Sequence, residues 1–309
     1  MSRVVYYKMI SVHLKLDGTP YRAHHSLGIY ELEDAIVFLH SMLGDVTNER
    51  ITKDTIFPKY IIADLFTLDF TKHTQNSLVY SDEGTLLGNC CKCTSENQKL
   101  FLNTMYYKPI DGGVTGDSNR HNTLAKLIEI RTDALIEISE SPAPITMEYC
   151  ETKTYTFGEY RVHMISAFTM ECRLSETNTV VWKLRLSAYL YTEIEEKNGK
   201  LYFGTAAKGG QFYSISLQDG KIIFEYNTGG TTNYVWYEGN VLMVDKKGDI
   251  ILLDSKIGKL IKRYTLRRSD SSKQRLQATP DILVKDDKIY SVAISRENFY
   301  EFYAVCVDL

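Results

Sequence analysis

Two stretches of the chain, residues 198–226 and 238–264, repeat the same order of short apolar segments and turns. Gly199 of the first copy and Gly239 of the second lie 40 positions apart, as do the predicted strands around them. Within the first copy, runs of apolar and β-branched residues predict three short strands. Asp219-Gly220 is a strong signal for a tight hairpin between the last two strands. A period of about 40 residues is typical of a four-stranded propeller blade, so the repeat predicts an all-β fold.

Five positions recur at the hairpin between the third and fourth predicted strands. The three clear sets are Ser214, Ser216, Asp219, Gly220 and Phe224; Leu252, Asp254, Ile257, Gly258 and Lys262; and Cys172, Leu174, Thr177, Asn178 and Trp182. These positions resemble the per-blade pattern Ala-x-Asp-x-x-Thr-Gly-x-x-x-Trp of quinoprotein-type (PQQ-like) β-propellers, and residues 180–266 are the specific match. The resemblance implies a propeller made of such blades.

The last of the five positions, an anchor side chain on the fourth strand, sets the expected number of blades. Weaker copies of the pattern place further anchors at Phe101 and Glu137, which precede Trp182. With Tyr6 and one degenerate anchor between Tyr6 and Phe101, the count is seven, and six is the alternative. The copy ending at Glu137 is the poorest, because it puts a charge where an aromatic is expected. We expect one β-propeller domain over residues 1–309.

The two ends of the chain complement each other. Residues 4–10 read like an outer fourth strand with no blade before it, whereas 288–293 and 302–309 read like inner strands without a fourth. We therefore expect the N-terminal strand to complete the last blade, which would remove an exposed sheet edge.

Residues 31–43 interrupt the pattern. Their apolar side chains follow a helical spacing, which predicts a short helix ending at Gly44. The alternative is a bulky strand of the degenerate blade, because a short apolar run fits either element.

Charge and composition narrow the range of functions. The formal net charge is −3, so no broad field attracts nucleic acid or anionic membrane. There is no apolar run of signal-peptide or membrane-spanning length, and six cysteines without an export signal read as reduced thiols. We expect a cytoplasmic monomer that contacts neither nucleic acid nor membrane.

Cysteines and histidines are the candidate metal ligands, and we expect neither group to bind a metal. Cys91 and Cys93 fall on blade positions, and cysteine packs as a small buried hydrophobe. His24-His25, His40 and His73 lack the spacing of a metal site, so packing and loop roles are favoured. The sequence predicts no catalytic, cofactor-binding or metal residues.

The segment 228–237 is the candidate partner-binding surface, because glycines and threonines precede aromatic residues there. Its candidate residues are Thr231, Thr232, Asn233, Tyr234, Trp236 and Tyr237. In the alternative interpretation, Trp236 and Tyr237 begin an inner strand and pack between blades.

The function expected from these features is a non-catalytic, protein-binding propeller in a bacterial cytosol, with toxin-neutralising immunity as one such role. A small-ligand or sugar-binding propeller is the alternative. Quinoprotein dehydrogenases resemble this chain in their blade pattern. Those enzymes are exported, bind calcium beside the cofactor and use a vicinal disulfide. Cys90-Cys91 is the only vicinal pair here, and no catalytic aspartate or calcium ligands can be assigned. We therefore expect no enzyme activity and no cofactor.

Overall fold

The structure is a computed structural model, and it describes residues 4–9, 23–43, 59–67, 78–82, 85–86, 92–96, 99–109, 121–142, 150–267, 274–296 and 302–309. The strands in chain order are β1 (Val4–Met9), β2 (Ala23–Leu32), β3 (Ala35–Leu43), β4 (Lys59–Thr67), β5 (Leu78–Asp82), β6 (Thr85–Leu86), β7 (Lys92–Glu96), β8 (Lys99–Pro109), β9 (His121–Ile130), β10 (Leu135–Pro142), β11 (Thr154–Phe157), β12 (Tyr160–Ser166), β13 (Thr169–Leu174), β14 (Val180–Arg185), β15 (Tyr189–Leu190), β16 (Glu195–Lys197), β17 (Lys200–Ala206), β18 (Gln211–Ser216), β19 (Ile222–Asn227), β20 (Tyr234–Tyr237), β21 (Asn240–Val244), β22 (Ile250–Leu253), β23 (Leu260–Tyr264), β24 (Leu276–Lys285), β25 (Lys288–Ser295) and β26 (Phe302–Asp308). One turn of 3-10 helix spans Cys150–Thr152.

The described strands form six antiparallel sheets in which consecutive strands pair with each other. Four sheets have the orders β2-β3-β4-β5, β11-β12-β13-β14, β20-β21-β22-β23 and β1-β26-β25-β24. The other two have the orders β10-β9-β8-β6, with β7 also on β8, and β15-β17-β18-β19, with β16 also on β17. This is the blade architecture of a β-propeller, and the predicted fold class is confirmed.

The N-terminal strand lies in the same sheet as the C-terminal strands, as predicted. β1 occupies the edge beside β26, and β26 is followed by β25 and β24. The last three strands of the chain thus supply the first to third positions of a sheet, and the first strand supplies the fourth.

The predicted helix over 31–43 is wrong, and the strand alternative is confirmed. β2 and β3 form a hairpin whose turn contains Glu33, at a φ of 51°. The run Ile36–Leu39 is buried on both faces of β3, which is an interior strand of its sheet. A strand covered on both faces needs apolar residues in succession, and such a run imitates a helix.

The copy of the blade pattern ending at Phe101 is also wrong. This copy predicts a hairpin between a third and a fourth strand. In the structure, β7 and β8 are instead the first and second strands of the sheet that ends in β10. Glu137 does lie on a fourth strand, paired with β9. The described residues form six sheets, so the expected count of seven blades is not confirmed.

The chain divides into two compact units, Met1–Val4 with Glu148–Arg296 and Val307–Leu309, and Val5–Met147 with Glu297–Cys306. In the second unit, β2 to β4, β8 and β9 contribute an aliphatic core that includes Val37, Ile61 and Leu102. In the first unit, one core cluster includes Trp182 and Phe203, and another includes Phe212 and Met243. Among the described residues, no helix is long and apolar enough to cross a bilayer.

The glycine of the repeated pattern has a packing role in the first unit. Gly220 has a φ of 68°, and a Cβ at this position would lie 2.6 Å from the Trp182 ring of the preceding sheet. Gly258 repeats this arrangement against Phe224, at 2.4 Å. The pattern therefore couples the turn of one sheet to the anchor aromatic of the sheet before it, which explains why both positions recur together.

Candidate partner-binding surface

The predicted segment 231–237 forms the end of a loop followed by β20. Thr232 is buried, and its hydroxyl lies 2.5 Å from the Thr228 hydroxyl. Tyr234 is only 8% exposed, and its hydroxyl donates a hydrogen bond to the Tyr202 carbonyl at 3.2 Å. Thr232 and Tyr234 are therefore inaccessible to a partner, whereas Thr231 is exposed.

Trp236 is half-buried by contacts on several sides. Its Nε1 donates to Glu195 Oε2 at 2.8 Å, and its ring meets the Tyr202 ring edge-on at a centroid distance of 5.0 Å. Lys197 Nζ lies 3.3 Å from the centroid of the Trp236 ring, in a cation–π contact. The indole of β20 thus packs against β16 and β17 of the neighbouring sheet, and only part of its surface remains accessible.

Tyr237 and Asn233 are also partly exposed and engaged. The Tyr237 hydroxyl donates to Asp287 Oδ1 at 2.9 Å, and this hydrogen bond to a carboxylate raises the pKa of Tyr237 to about 12. Asn233 Oδ1 accepts a hydrogen bond from the Tyr234 backbone N–H at 3.0 Å. The six predicted residues are thus sequence neighbours that do not form one continuous exposed surface.

The glycine-rich start of this segment borders a small cavity. The cavity has a volume of about 260 Å³ and is lined by Thr228, Gly229, Gly230, Thr231, Val244, Asp245, Lys246, Gly248, Gln277, Ala278 and Pro280. The Gly210 carbonyl holds the loop, because it accepts hydrogen bonds from the backbone N–H groups of Thr228 and Gly229, each at 3.1 Å. Of the predicted residues, only Thr231 lines this cavity.

Buried charges stiffen the far wall of the cavity. Asp245 Oδ1 accepts the backbone N–H groups of Lys247 at 2.8 Å and Asp249 at 3.0 Å. Arg263 pairs with both Asp245 and Asp249, and the Asp245 hydrogen bond raises the pKa of the Arg263 guanidinium above its usual range. Arg275 binds Asp249 at 2.5 Å, so a second guanidinium is paired with this buried carboxylate. Residues 268–273 lie outside the described ranges.

The exposed apolar side chains of the first unit include Ile165, Phe168, Tyr189 and Tyr191, which are 45%, 36%, 44% and 49% exposed. We refer to these four residues as the 165–191 patch, which centres on Phe168 and Tyr189. The Phe168 and Tyr189 rings are in contact, with centroids 4.7 Å apart. Large aromatics that are both exposed and in mutual contact are typical of protein-binding surfaces.

Backbone and hydroxyl hydrogen bonds hold the patch in place. The Leu186 N–H donates to the Phe168 carbonyl at 2.8 Å, which ties the strand before the patch to its turn. Ser187 Oγ donates to the Gly209 carbonyl at 2.8 Å and lies 3.1 Å from the Tyr213 hydroxyl. A surface that is ordered before binding loses little conformational entropy when a partner arrives.

One sequence signal could have located the patch. In Tyr189-Leu190-Tyr191, the middle residue is buried and the two tyrosines are exposed. Alternation places both tyrosines on the same side of an extended chain. Whether that side faces solvent depends on neighbouring strands, which the tripeptide itself does not reveal.

The Cys172 thiol and the His40 imidazole are both packed in the interior. Burial raises the pKa of Cys172 to about 11, so this side chain remains a neutral thiol in the core. His40 Nε2 lies 2.8 Å from Asp64 Oδ2, and both residues are buried. Groups of three or more metal-binding side chains are absent from the described residues. Cys90, Cys91 and His73 lie outside those residues.

Comparisons with known proteins give structural likenesses at low identity. No protein-family model and no curated protein sequence matches the chain. BamB from Moraxella catarrhalis matches 99% of this chain and 100% of its own, at 11% identity and a TM-score of 0.42. Trypanosoma rangeli sialidase in complex with the inhibitor DANA matches 99% of this chain at 12% identity and a TM-score of 0.48, and the match covers 60% of the sialidase. The computationally designed Ika8 protein matches 92% of this chain and 97% of its own, at 10% identity and a TM-score of 0.39.

Proposed function

We propose that this chain is a non-catalytic, protein-binding β-propeller scaffold of a bacterial cytosol, and that the 165–191 patch is its principal contact surface. The observation that carries the proposal is the ring contact between two exposed aromatics, Phe168 and Tyr189. Burying such a pair against a partner gains apolar area and an aromatic contact at low entropic cost. Toxin neutralisation, as by an immunity protein, is one function that such a surface would serve.

The hydrogen-bonded group of Tyr155, Glu193 and Lys153 in the first unit fits a non-catalytic role. The Tyr155 hydroxyl donates to Glu193 Oε2 at 2.7 Å, and Lys153 Nζ lies 2.5 Å from Glu193 Oε1. Burial, together with the Glu193 hydrogen bond, raises the pKa of the Tyr155 phenol. The phenol therefore stays protonated at neutral pH, whereas a nucleophile needs a lowered pKa or an adjacent general base. Because Glu193 is paired with Lys153, it is poorly suited to act as that base.

A small-ligand-binding propeller is a second candidate, and the cavity beside Thr231 favours it. Its volume of about 260 Å³ is close to the lower end of the range for small-molecule sites, roughly 300–1,000 Å³. Thermal-shift screening with soluble glycans tests this alternative, because a ligand that binds the folded state raises its melting temperature.

Photo-crosslinking from within the patch tests the protein-binding proposal. A benzoylphenylalanine at position 189, in cells that produce the full chain, should capture one discrete partner protein. The matched control is the same probe at Ile261, which is 53% exposed on β23. Capture of the same proteins at both positions, or of none at position 189, would contradict the proposal.

Substitution in the patch then measures its contribution to affinity. Phe168→Ser with Tyr189→Ser should weaken binding of the captured partner by roughly 1,000-fold, since two aromatic hot spots contribute about 2 kcal/mol each. Ile261→Ser should leave affinity unchanged. Both proteins should unfold at nearly the wild-type temperature, because the substituted side chains are exposed. If the captured partner is a toxin, the wild-type chain should inhibit it and the double variant should not.

A further inference from the structure

The first unit has a cleft besides the cavity at Thr231, and this cleft is chemically different from the 165–191 patch. It is a cleft of about 500 Å³ lined by Phe157, Gly158, Glu159, Tyr160, Glu196 and Leu217. The first four residues form the hairpin turn between β11 and β12. Glu196 belongs to β16, and Leu217 follows β18 directly. Two neighbouring sheets therefore each contribute a wall.

The lining of this cleft combines aromatic rings with carboxylates. Phe157 and Tyr160 are partly exposed, Glu159 and Glu196 are exposed, and none of the six residues is basic. Glu196 Oε1 accepts the Gly199 backbone N–H at 2.6 Å, which fixes the carboxylate in place. Within the described part of the chain, no ion pair involves Glu159 or Glu196. The cleft thus carries two uncompensated negative charges beside two π-systems.

The cations closest along the chain are directed to other groups. Lys197 lies over the Trp236 ring at 3.3 Å, and Lys221 pairs with Asp219 at 2.7 Å. Arg161 Nη2 donates to Asn178 Oδ1 at 2.9 Å. None of these three side chains forms an ion pair with Glu159 or Glu196, so the charge of the cleft is available to an external cation.

We propose that this cleft binds an organic cation, namely an alkylammonium or guanidinium group. Carboxylates attract such a group, and the faces of aromatic rings stabilise it through their quadrupole. The volume fits a small-molecule site or one long basic side chain. The cation has two sources of the same chemistry, a free amine and a Lys or Arg side chain on another protein.

Ligand-observed and protein-observed NMR on the full chain tests the proposal with defined probes. Benzyltrimethylammonium represents a free cation, and the capped tripeptide Ac-Ala-Lys-Ala-amide represents a side chain. Neopentylbenzene, the uncharged isostere of the first probe, and Ac-Ala-Met-Ala-amide are the neutral controls. Both cations should shift the ring signals of Phe157 and Tyr160, and the neutral controls should not. The tighter of the two cationic probes identifies the source.

Glutamate-to-glutamine substitutions show whether the charges are responsible. Glu159→Gln combined with Glu196→Gln should weaken cation binding about tenfold, while glutamine at 196 keeps an acceptor for the Gly199 N–H. Glu225→Gln, on exposed β19, is the matched control and should bind as wild type does. Equal binding of charged and neutral probes would overturn the proposal, as would unchanged affinity in the double variant. Failure of the 165–191 patch to capture a partner would leave these results unaffected.

Discussion

The sheet β20–β23 and the sheet β2–β5 have the same strand order but different connections between their third and fourth strands. In the first sheet a short turn containing Gly258 joins β22 to β23, and the glycine lies against Phe224 of the preceding sheet. In the second sheet ten residues separate Thr67 from Leu78. The repeated pattern is thus a property of a tight turn packed on an aromatic. A blade without that turn has no signature, although its strands pair in the same way.

The two sheets also differ in their buried polar groups. The sheet β2–β5 contains the buried, hydrogen-bonded pair His40 and Asp64. The sheet β20–β23 instead has two buried aspartates, Asp245 and Asp249, that share Arg263. Burying a polar group costs free energy unless the group is paired, and different residues form these pairs in the two sheets. Such differences remove the sequence similarity between repeats, although the strand order of the sheets stays the same.

Truncating the anchor aromatic should have the largest effect. Trp182→Ala removes a core side chain that is 7% exposed and whose Nε1 donates to the Leu217 carbonyl at 2.7 Å. We expect the free energy of unfolding to fall by about 3–5 kcal/mol, as for other buried aromatics. Urea unfolding measures this loss of stability when it is followed by far-UV circular dichroism, which does not depend on the removed tryptophan. Val181→Ala, on the exposed side of the same strand, should change stability by less than about 0.5 kcal/mol. Similar losses in both variants would refute the packing role assigned to Trp182.

Substituting the turn glycine separates its contact from its backbone conformation. Gly220→Ala should lose about 2–4 kcal/mol, from a strained positive φ and from overpacking against the Trp182 ring. Gly199→Ala is the matched control, because Gly199 has a similar φ of 73° but a Cβ there would meet nothing within 4 Å. This control should lose only about 1 kcal/mol. Equal losses would mean that the turn conformation alone, and not the coupling to the aromatic, accounts for the pattern.

The buried pair of the sheet β2–β5 should show the smallest effect and a distinctive non-additivity. Asp64→Val removes the acceptor facing His40 Nε2, and we expect a loss of about 1–3 kcal/mol. Adding His40→Leu should restore part of that loss, because an apolar pair needs no hydrogen-bond partner. A double-mutant cycle from chemical unfolding measures the coupling. Strictly additive losses would show that the pair does not act as a unit.

Much of the fold could be predicted because its signals are local. The Asp-Gly hairpin and the strand-like residues of 4–10 each depend on a few neighbouring residues, and the 40-residue period is the recurrence of such local signals. The errors arose where a local signal was ambiguous. Ile36–Leu39 fits a helix or a doubly covered strand, and Phe101 matches an anchor position by spacing alone. Only the pairing partners of β3 and β8 distinguish these alternatives.

The candidate surface was less predictable than the fold. Tyr234 and Tyr189 each begin a strand, yet Tyr234 is buried against Tyr202 and Tyr189 is exposed beside Phe168. Composition cannot separate two such tyrosines, because exposure depends on what lies across the sheet and on the next sheet. The cleft at Glu159 and Glu196 could not be predicted for the same reason, since these two residues are 37 positions apart in the sequence.

The amino-acid order alone determined several of the bends, since Gly199, Gly220 and Gly239 supply the positive φ that those turns require. Tertiary structure decided which aromatics remain accessible and which carboxylates lack a cation. The physical reason is that burial and charge pairing are set by groups distant in sequence, which no short segment contains.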